Sequence, residues 1–129
     1  MSGKLAKEWL CKAEEDFAVV LILSKKRKRL LMNTVCFHSQ QAGEKYLKSY
    51  LALKGIDFPK THDLILLKNL ALKTESDFEF IADLAAVLTP YAVEFRYPGE
   101  QATSKDVKMA IAAIKEMRDF ILKKLQRIR

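Results

Sequence analysis

Over residues 3–24, apolar side chains return every three or four positions, at Leu5, Trp9, Ala13, Phe17 and Val20, with charged residues between them. A helix completes a turn in 3.6 residues, so the spacing predicts one helix with a single buried stripe. A second helix starts near Asn33 or Thr34, either of which could cap it, and runs to about Lys54. Gly55 is a natural stop because glycine accepts positive φ. Residues 56–62, stiffened by Pro59, predict a loop, and Thr61 is the N-cap expected for a short helix over His62–Leu72.

Ser76 or Asp77 opens a fourth helix, whose buried face reads Ile81, Leu84, Ala85, Leu88, Tyr91, Ala92 and Phe95. Pro90 lies inside that pattern and lacks an amide hydrogen, which predicts a kink about one turn upstream. Tyr97-Pro98-Gly99 closes the helix. Thr103 and Asp106 resemble a capping box with Asp in place of the longer Glu. The last helix carries Val107, Ile111, Ile114, Ile121, Leu125 and Ile128 on one stripe. No segment alternates with period two for long enough to make a strand. The expected fold is all-α, an antiparallel up-and-down bundle of four to five helices forming a single domain over residues 1–129.

Composition agrees with one core. Half of the 129 residues are apolar and 30% are charged, too apolar for a disordered chain, and a domain of this size folds without disulfide or metal staples. Four Gly and three Pro are too few for the many turns of an all-β fold. Charges break every apolar stretch well short of the ~20 residues that cross a bilayer. The opening MSGKLAKEWLCKAEED turns acidic where a signal peptide needs its apolar stretch. The expectation is therefore a cytoplasmic protein with no membrane association. Cys11 and Cys36, without CxxC spacing, suit reduced thiols.

The net charge of +7 favours an anionic partner: nucleotide, nucleic acid or an acidic protein face. Two regions supply much of it. One is the run Lys25-Lys26-Arg27-Lys28-Arg29, expected to form the first interhelical connection. The other is the last helix, with Lys105, Lys108, Lys115, Arg118, Lys123, Lys124, Arg127 and Arg129, whose simplest reading is a solvated face.

Two clusters could carry chemistry. In the second helix His38, Gln41, Lys45 and Lys48 are spaced by three, four and three, which places imidazole, amide and ammonium groups on one face. Such a row suits a phosphate or a nucleobase edge, or else the first two groups bond within the bundle while the lysines snorkel to water. Gly43, costly in mid-helix, implies that another backbone passes close by, from a neighbouring helix or a second subunit. The other cluster is Tyr91-Ala92-Val93-Glu94-Phe95-Arg96-Tyr97-Pro98-Gly99. There Arg96 either caps carbonyls at a helix end or grips an anion at two points. His62, in Lys60-Thr61-His62-Asp63, is the second of two histidines, which are too few and too far from ligand-spaced carboxylates for a metal site. There is no glycine-rich phosphate loop, no GxSxG and no HExxH, so neither metal nor cofactor is expected.

Taken together, Trp9, Ala13-Glu14-Glu15-Asp16, Cys36-Phe37-His38-Ser39-Gln40-Gln41-Ala42-Gly43-Glu44-Lys45, Pro59-Lys60-Thr61-His62-Asp63-Leu64 and Tyr91 through Pro98 resemble the HEPN family. Its members are small helical domains named for higher eukaryotes and prokaryotes, and the resemblance spans nearly the whole chain in order. It implies a bundle of four or five helices, a homodimer, and a cleft that binds nucleotide or RNA. It also implies a minimal nucleotidyltransferase as partner, often in a toxin–antitoxin pair. Some members are metal-independent ribonucleases in which an Arg is followed, four to six residues later, by a His. Arg96 matches the arginine, but Gln101, Ala102 and Thr103 stand where the histidine would fall. The expectation is accordingly a non-catalytic domain whose cleft is lined by His38, Gln41, Lys45, Tyr91, Arg96 and Tyr97. The alternatives are a ribonuclease toxin and a purely structural dimeric module.

Overall fold

The structure, a computed structural model, describes residues 2–126. Among them lie five α-helices and no strand: α1 (Ser2–Lys26), α2 (Arg29–Leu53), α3 (Leu64–Leu72), α4 (Ala82–Leu88) and α5 (Ser104–Gln126). Short 3-10 segments, Ser76–Ile81 and Thr89–Ala92, flank α4. Ile128, Arg127 and Arg129 lie outside the described residues.

α2 is the central element. Its buried side chains include Tyr46, Leu47, Tyr50 and Leu51, and these pack with Leu64 and Leu67 of α3, Ala85 and Leu88 of α4, and Ile114, Met117 and Ile121 of α5. α1 folds back against α2 across a connection of only two residues, so the pair is antiparallel. The buried stripe of α1 runs through Ala6, Ala13 and Val20, with Leu10 and Phe17 beside it, and the expected Leu5 is exposed. Apolar residues occupy both 5/9 and 6/10, so spacing allows either register, and packing selects the one with small Ala6 inside.

The basic run is not a loop. Lys25 and Lys26 end α1, Arg29 begins α2, and only Arg27 and Lys28 lie between. Lys28 takes the N-cap position with extended backbone and no side-chain cap bond, so neither Asn33 nor Thr34 caps α2. The end of α2 follows expectation: Gly55 has φ 69°, and Ile56 N–H donates to the Leu51 carbonyl at 2.9 Å. Asp63, rather than Thr61, caps α3, accepting from Ile65 N–H at 2.9 Å and Leu66 N–H at 3.2 Å.

The expected fourth helix is divided into three. α-Helical bonding stops at Leu88, two residues before Pro90, and a 3-10 turn takes over. Pro90 offers no N–H, while the Thr89 hydroxyl donates to the Ala85 carbonyl at 2.7 Å. The chain therefore leaves helical geometry by Ala92, ahead of Tyr97-Pro98-Gly99. The capping box of α5 is present: Thr103 N–H donates to Asp106 Oδ2 at 2.8 Å, and Asp106 N–H to Thr103 Oγ1 at 3.1 Å.

Gly43 faces side chains rather than a backbone or a second subunit. A Cβ there would lie 3.2 Å from Met117 Sδ, 3.3 Å from Leu88 Cδ1 and 3.4 Å from Leu64 Cδ1. Nor is α5 wholly a solvated basic face. Arg118 clamps Glu14 of α1 with Nε and Nη2 at 2.7 and 3.0 Å, and the buried Lys124 pairs with Glu75 and Asp77.

Candidate functional site

The site is built where α1 meets the polar side of α2. Asp16 falls on the buried stripe of α1, three residues after Ala13 and four before Val20, and a carboxylate held there requires partners. α2 supplies two. His38 Nδ1 donates to Asp16 Oδ1 at 2.8 Å, and Lys45 Nζ donates to Asp16 Oδ2 at 2.6 Å. The Asp16 bond fixes the ring. In the neutral imidazole it leaves Nε2 as the acceptor, with no protein partner among the described residues.

Gln41, on the turn between them, donates through Nε2 to Gln40 Oε1 at 2.7 Å. Gln40 donates onward to the His62 carbonyl at 2.9 Å and to Glu44 Oε1 at 3.3 Å. Glu44, itself buried, also accepts from His62 Nδ1 and Lys48 Nζ, each at 2.8 Å. Lys48 does not snorkel: it is buried, with its ammonium 5.1 Å from the Trp9 ring centre and 5.8 Å from that of Phe58. His38, Gln41 and Lys45 thus form a half-buried row, from which Lys48 has turned inward to close the 56–63 loop over Glu44.

Arg96 lies beyond the second 3-10 turn, exposed, with Nη1 donating to the Ala92 carbonyl at 3.3 Å. Its guanidinium carbon is 5.9 Å from the centre of the Phe37 ring. A hollow of about 240 Å³ opens here, lined by Asn33, Thr34, Phe37, Glu94, Phe95 and Arg96. Asn33 holds its rim, donating to the Phe95 carbonyl at 3.4 Å and accepting from Ala102 N–H at 2.7 Å and Gln101 Nε2 at 3.3 Å. Phe95 has φ 65°, a left-handed conformation that costs a bulky residue energy. The Asn33 bond and stacking on Tyr91, with ring centres 5.9 Å apart, hold it there.

Phe37 joins the two clusters. Its ring packs edge-on to His38, with centroids 5.5 Å apart, while Arg96 sits over it. His38 and Arg96 therefore flank one aromatic side chain, and Gln41 and Lys45 extend the row along α2. Tyr91 is buried behind Phe95, and burial pushes its hydroxyl up to about 12, whereas Tyr97 is 72% exposed. Of the six expected residues, only Arg96 lines the hollow.

Sequence reasoning passed over Asp16, Glu44 and Phe37 as site residues. Asp16 had a signal, an acid at the spacing of an apolar stripe. Phe37 had none beyond its place beside His38. Cys36 is buried, and desolvation pushes its thiol up to about 12, so it is no nucleophile. Among the described residues no group of three His, Cys, Asp or Glu side chains is placed to hold a metal ion, and no helix is long and apolar enough to cross a membrane.

Residues 6–125 match the HEPN domain family. Two solved structures share the fold. The crystal structure of ST0689, an archaeal HEPN homologue, is 20% identical with a TM-score of 0.72, over 96% of this chain and 98% of that one. The crystal structure of TT1696 from Thermus thermophilus is 21% identical with a TM-score of 0.72, over 92% of this chain and 97% of that one. No protein of curated function matches the sequence. Identities at this level speak for the fold alone.

Proposed function

This chain belongs to the HEPN domain family, and from that premise we propose that it is a non-catalytic domain that binds a nucleotide across Phe37 and partners a minimal nucleotidyltransferase as a homodimer, in a toxin–antitoxin-like pair. The observation that carries the reading is that Phe37 touches both groups, with the His38 ring edge-on to it at 5.5 Å between centroids and the Arg96 guanidinium over it at 5.9 Å. Arg96 supplies the forked donor for a phosphate, and Lys45 adds a second charge once the anion competes with Asp16. His38 Nε2 and Gln41 Oε1 hydrogen-bond a base edge, and exposed Tyr97 offers a stacking face. Tyr91 backs Phe95, which forms the wall of the hollow.

Support for a non-catalytic role comes from the residues after Arg96. Gln101 and the Ala102 N–H are engaged by Asn33, and Thr103 caps α5. None exchanges a proton near neutral pH, so the histidine that follows the arginine in the ribonuclease members has no counterpart at these positions.

Calorimetric titration with ATP, GTP and short RNA tests the reading. Saturable binding that disappears in Arg96→Ala and persists in Lys123→Ala supports it. Binding indifferent to both changes, or RNA cleavage in EDTA that Arg96→Ala abolishes, contradicts it. The absence of any nucleotide binding leaves the structural dimer module in its place.

A further inference from the structure

The run Lys25-Lys26-Arg27-Lys28-Arg29 has no role in the nucleotide groove, and its local structure does not account for it. Lys25 and Lys26 are explained, since cations suit the C-terminal end of α1. The next three residues oppose local preference. Arg27 sits at φ 51°, which glycine or asparagine holds at lower cost. Lys28 fills an N-cap position where Ser, Thr, Asp or Asn would add a hydrogen bond. Arg29 opens a helix whose first turn carries no acid and whose dipole has the same sign. All five are exposed, and none is ion-paired among the described residues. Three successive positions that each depart from the locally stable choice, always toward positive charge, mark a surface kept for a ligand.

The corner leads toward the groove. Arg29, Asn33 and Phe37 stand on successive turns of one face of α2, and Gln101 ties the loop bearing Arg96 and Tyr97 to the Arg29 carbonyl at 3.4 Å. A basic strip on the helix face that carries the half-buried Phe37 ring, beside the loop that carries the exposed Tyr97, suits a single strand, with phosphates on the cations and a base on the Tyr97 ring.

We propose that the α1–α2 corner docks the phosphodiester backbone of a single-stranded nucleic acid. The direction of the strand rests on the groove reading, whereas the contribution of the corner is measured separately. The probes are fluorescent 12-residue RNA and DNA oligomers, titrated into the full-length protein over a range of NaCl concentrations. The informative variant is Arg27→Gly combined with Lys28→Asn, which improves both local conformations while removing two charges. Each phosphate contact of a single strand contributes roughly 0.7 to the log–log salt slope. The double variant should therefore lower that slope by about 1.4 and weaken binding about 25-fold near 0.1 M salt. Its melting temperature should be unchanged or higher, and its ATP affinity unchanged. Lys105→Gln with Lys108→Gln, an equal charge loss on exposed positions of α5, should change binding by less than about threefold.

Binding of both oligomers, or of RNA alone, supports the proposal when it shows this pattern. It is overturned if neither oligomer binds, if the corner and α5 variants lose affinity equally, or if polyglutamate or anionic phospholipid vesicles compete as well as an unlabelled strand. Loss of ATP binding in Arg96→Ala with an unchanged strand response in the corner variant would uphold the groove and overturn the corner.

Discussion

The imidazole of His38 is fixed from across the α1–α2 interface by Asp16, whose carboxylate accepts the Nδ1 hydrogen at 2.8 Å. One acid thus orients the imidazole of the proposed site and, through its other oxygen, holds Lys45 at 2.6 Å. Asp16 is 8% exposed. Asp16→Ala should cost about 1–3 kcal/mol, because two donors lose a buried acceptor. Urea unfolding with an unchanged m-value checks this, and a neutral variant would mean that the carboxylate bears no weight in the helix pair.

Gly43 offers a graded test of core packing. Alanine gains about 1 kcal/mol of helix propensity. It also crowds three flexible side-chain ends at 3.2–3.4 Å, so the net change should stay within about 1 kcal/mol. Leucine cannot be absorbed in the same way and should cost about 2–3 kcal/mol. Equal melting temperatures for Gly43→Leu and the parent protein would contradict the close approach of α3, α4 and α5 to this point.

The Glu14–Arg118 clamp makes stability fall in acid. Hydrogen bonds from Arg118 to both oxygens hold the Glu14 carboxyl below its ordinary 4.5, outweighing burial, and the Tyr46 hydroxyl donates to Oε1, the oxygen that also accepts from Arg118 Nε. A carboxyl with a depressed folded value contributes stability above 4.5 and loses it as pH drops through the folded value. The urea midpoint should decline below about pH 4.5, and Arg118→Met should flatten that decline. An unaltered acid limb in Arg118→Met would remove the clamp from the account.

The two thiols should separate cleanly. Cys11 is exposed, whereas Cys36 is buried and its thiol is pushed up to about 12. A thiol-specific reagent should label Cys11 alone in the native protein and both residues in guanidinium. Labelling of Cys36 without denaturant would place it outside the core.

Much of the fold was legible because its signals are local. Gly55 ends α2, Thr103 and Asp106 open α5, and the buried Ile114 and Ile121 follow the helical period. The misreadings arose where tertiary contacts decide. Asn33 has the side chain of a cap, yet it serves the Phe95 and Ala102 backbone sixty and more residues away. The cap of α2 lies five residues earlier, at Lys28, among cations that no propensity rule would select for a helix start. At the site, spacing alone put Lys48 in the row with His38, Gln41 and Lys45, but the 56–63 loop brings His62 to Glu44 and packs Phe58 beside Lys48. Phe37 carries no sequence signal, because its partner comes from the Arg96 loop, whereas Asp16 stands out in the sequence as an acid on the apolar stripe of α1.

Amide shift mapping during an ATP titration addresses the proposed groove most directly, since it reports where the ligand sits as well as whether it binds. The groove predicts saturable shifts centred on Phe37, His38, Gln41, Lys45 and Arg96, abolished in Arg96→Ala and preserved in Lys123→Ala. Shifts confined to the exposed side of α5, or none at millimolar ATP, would contradict it.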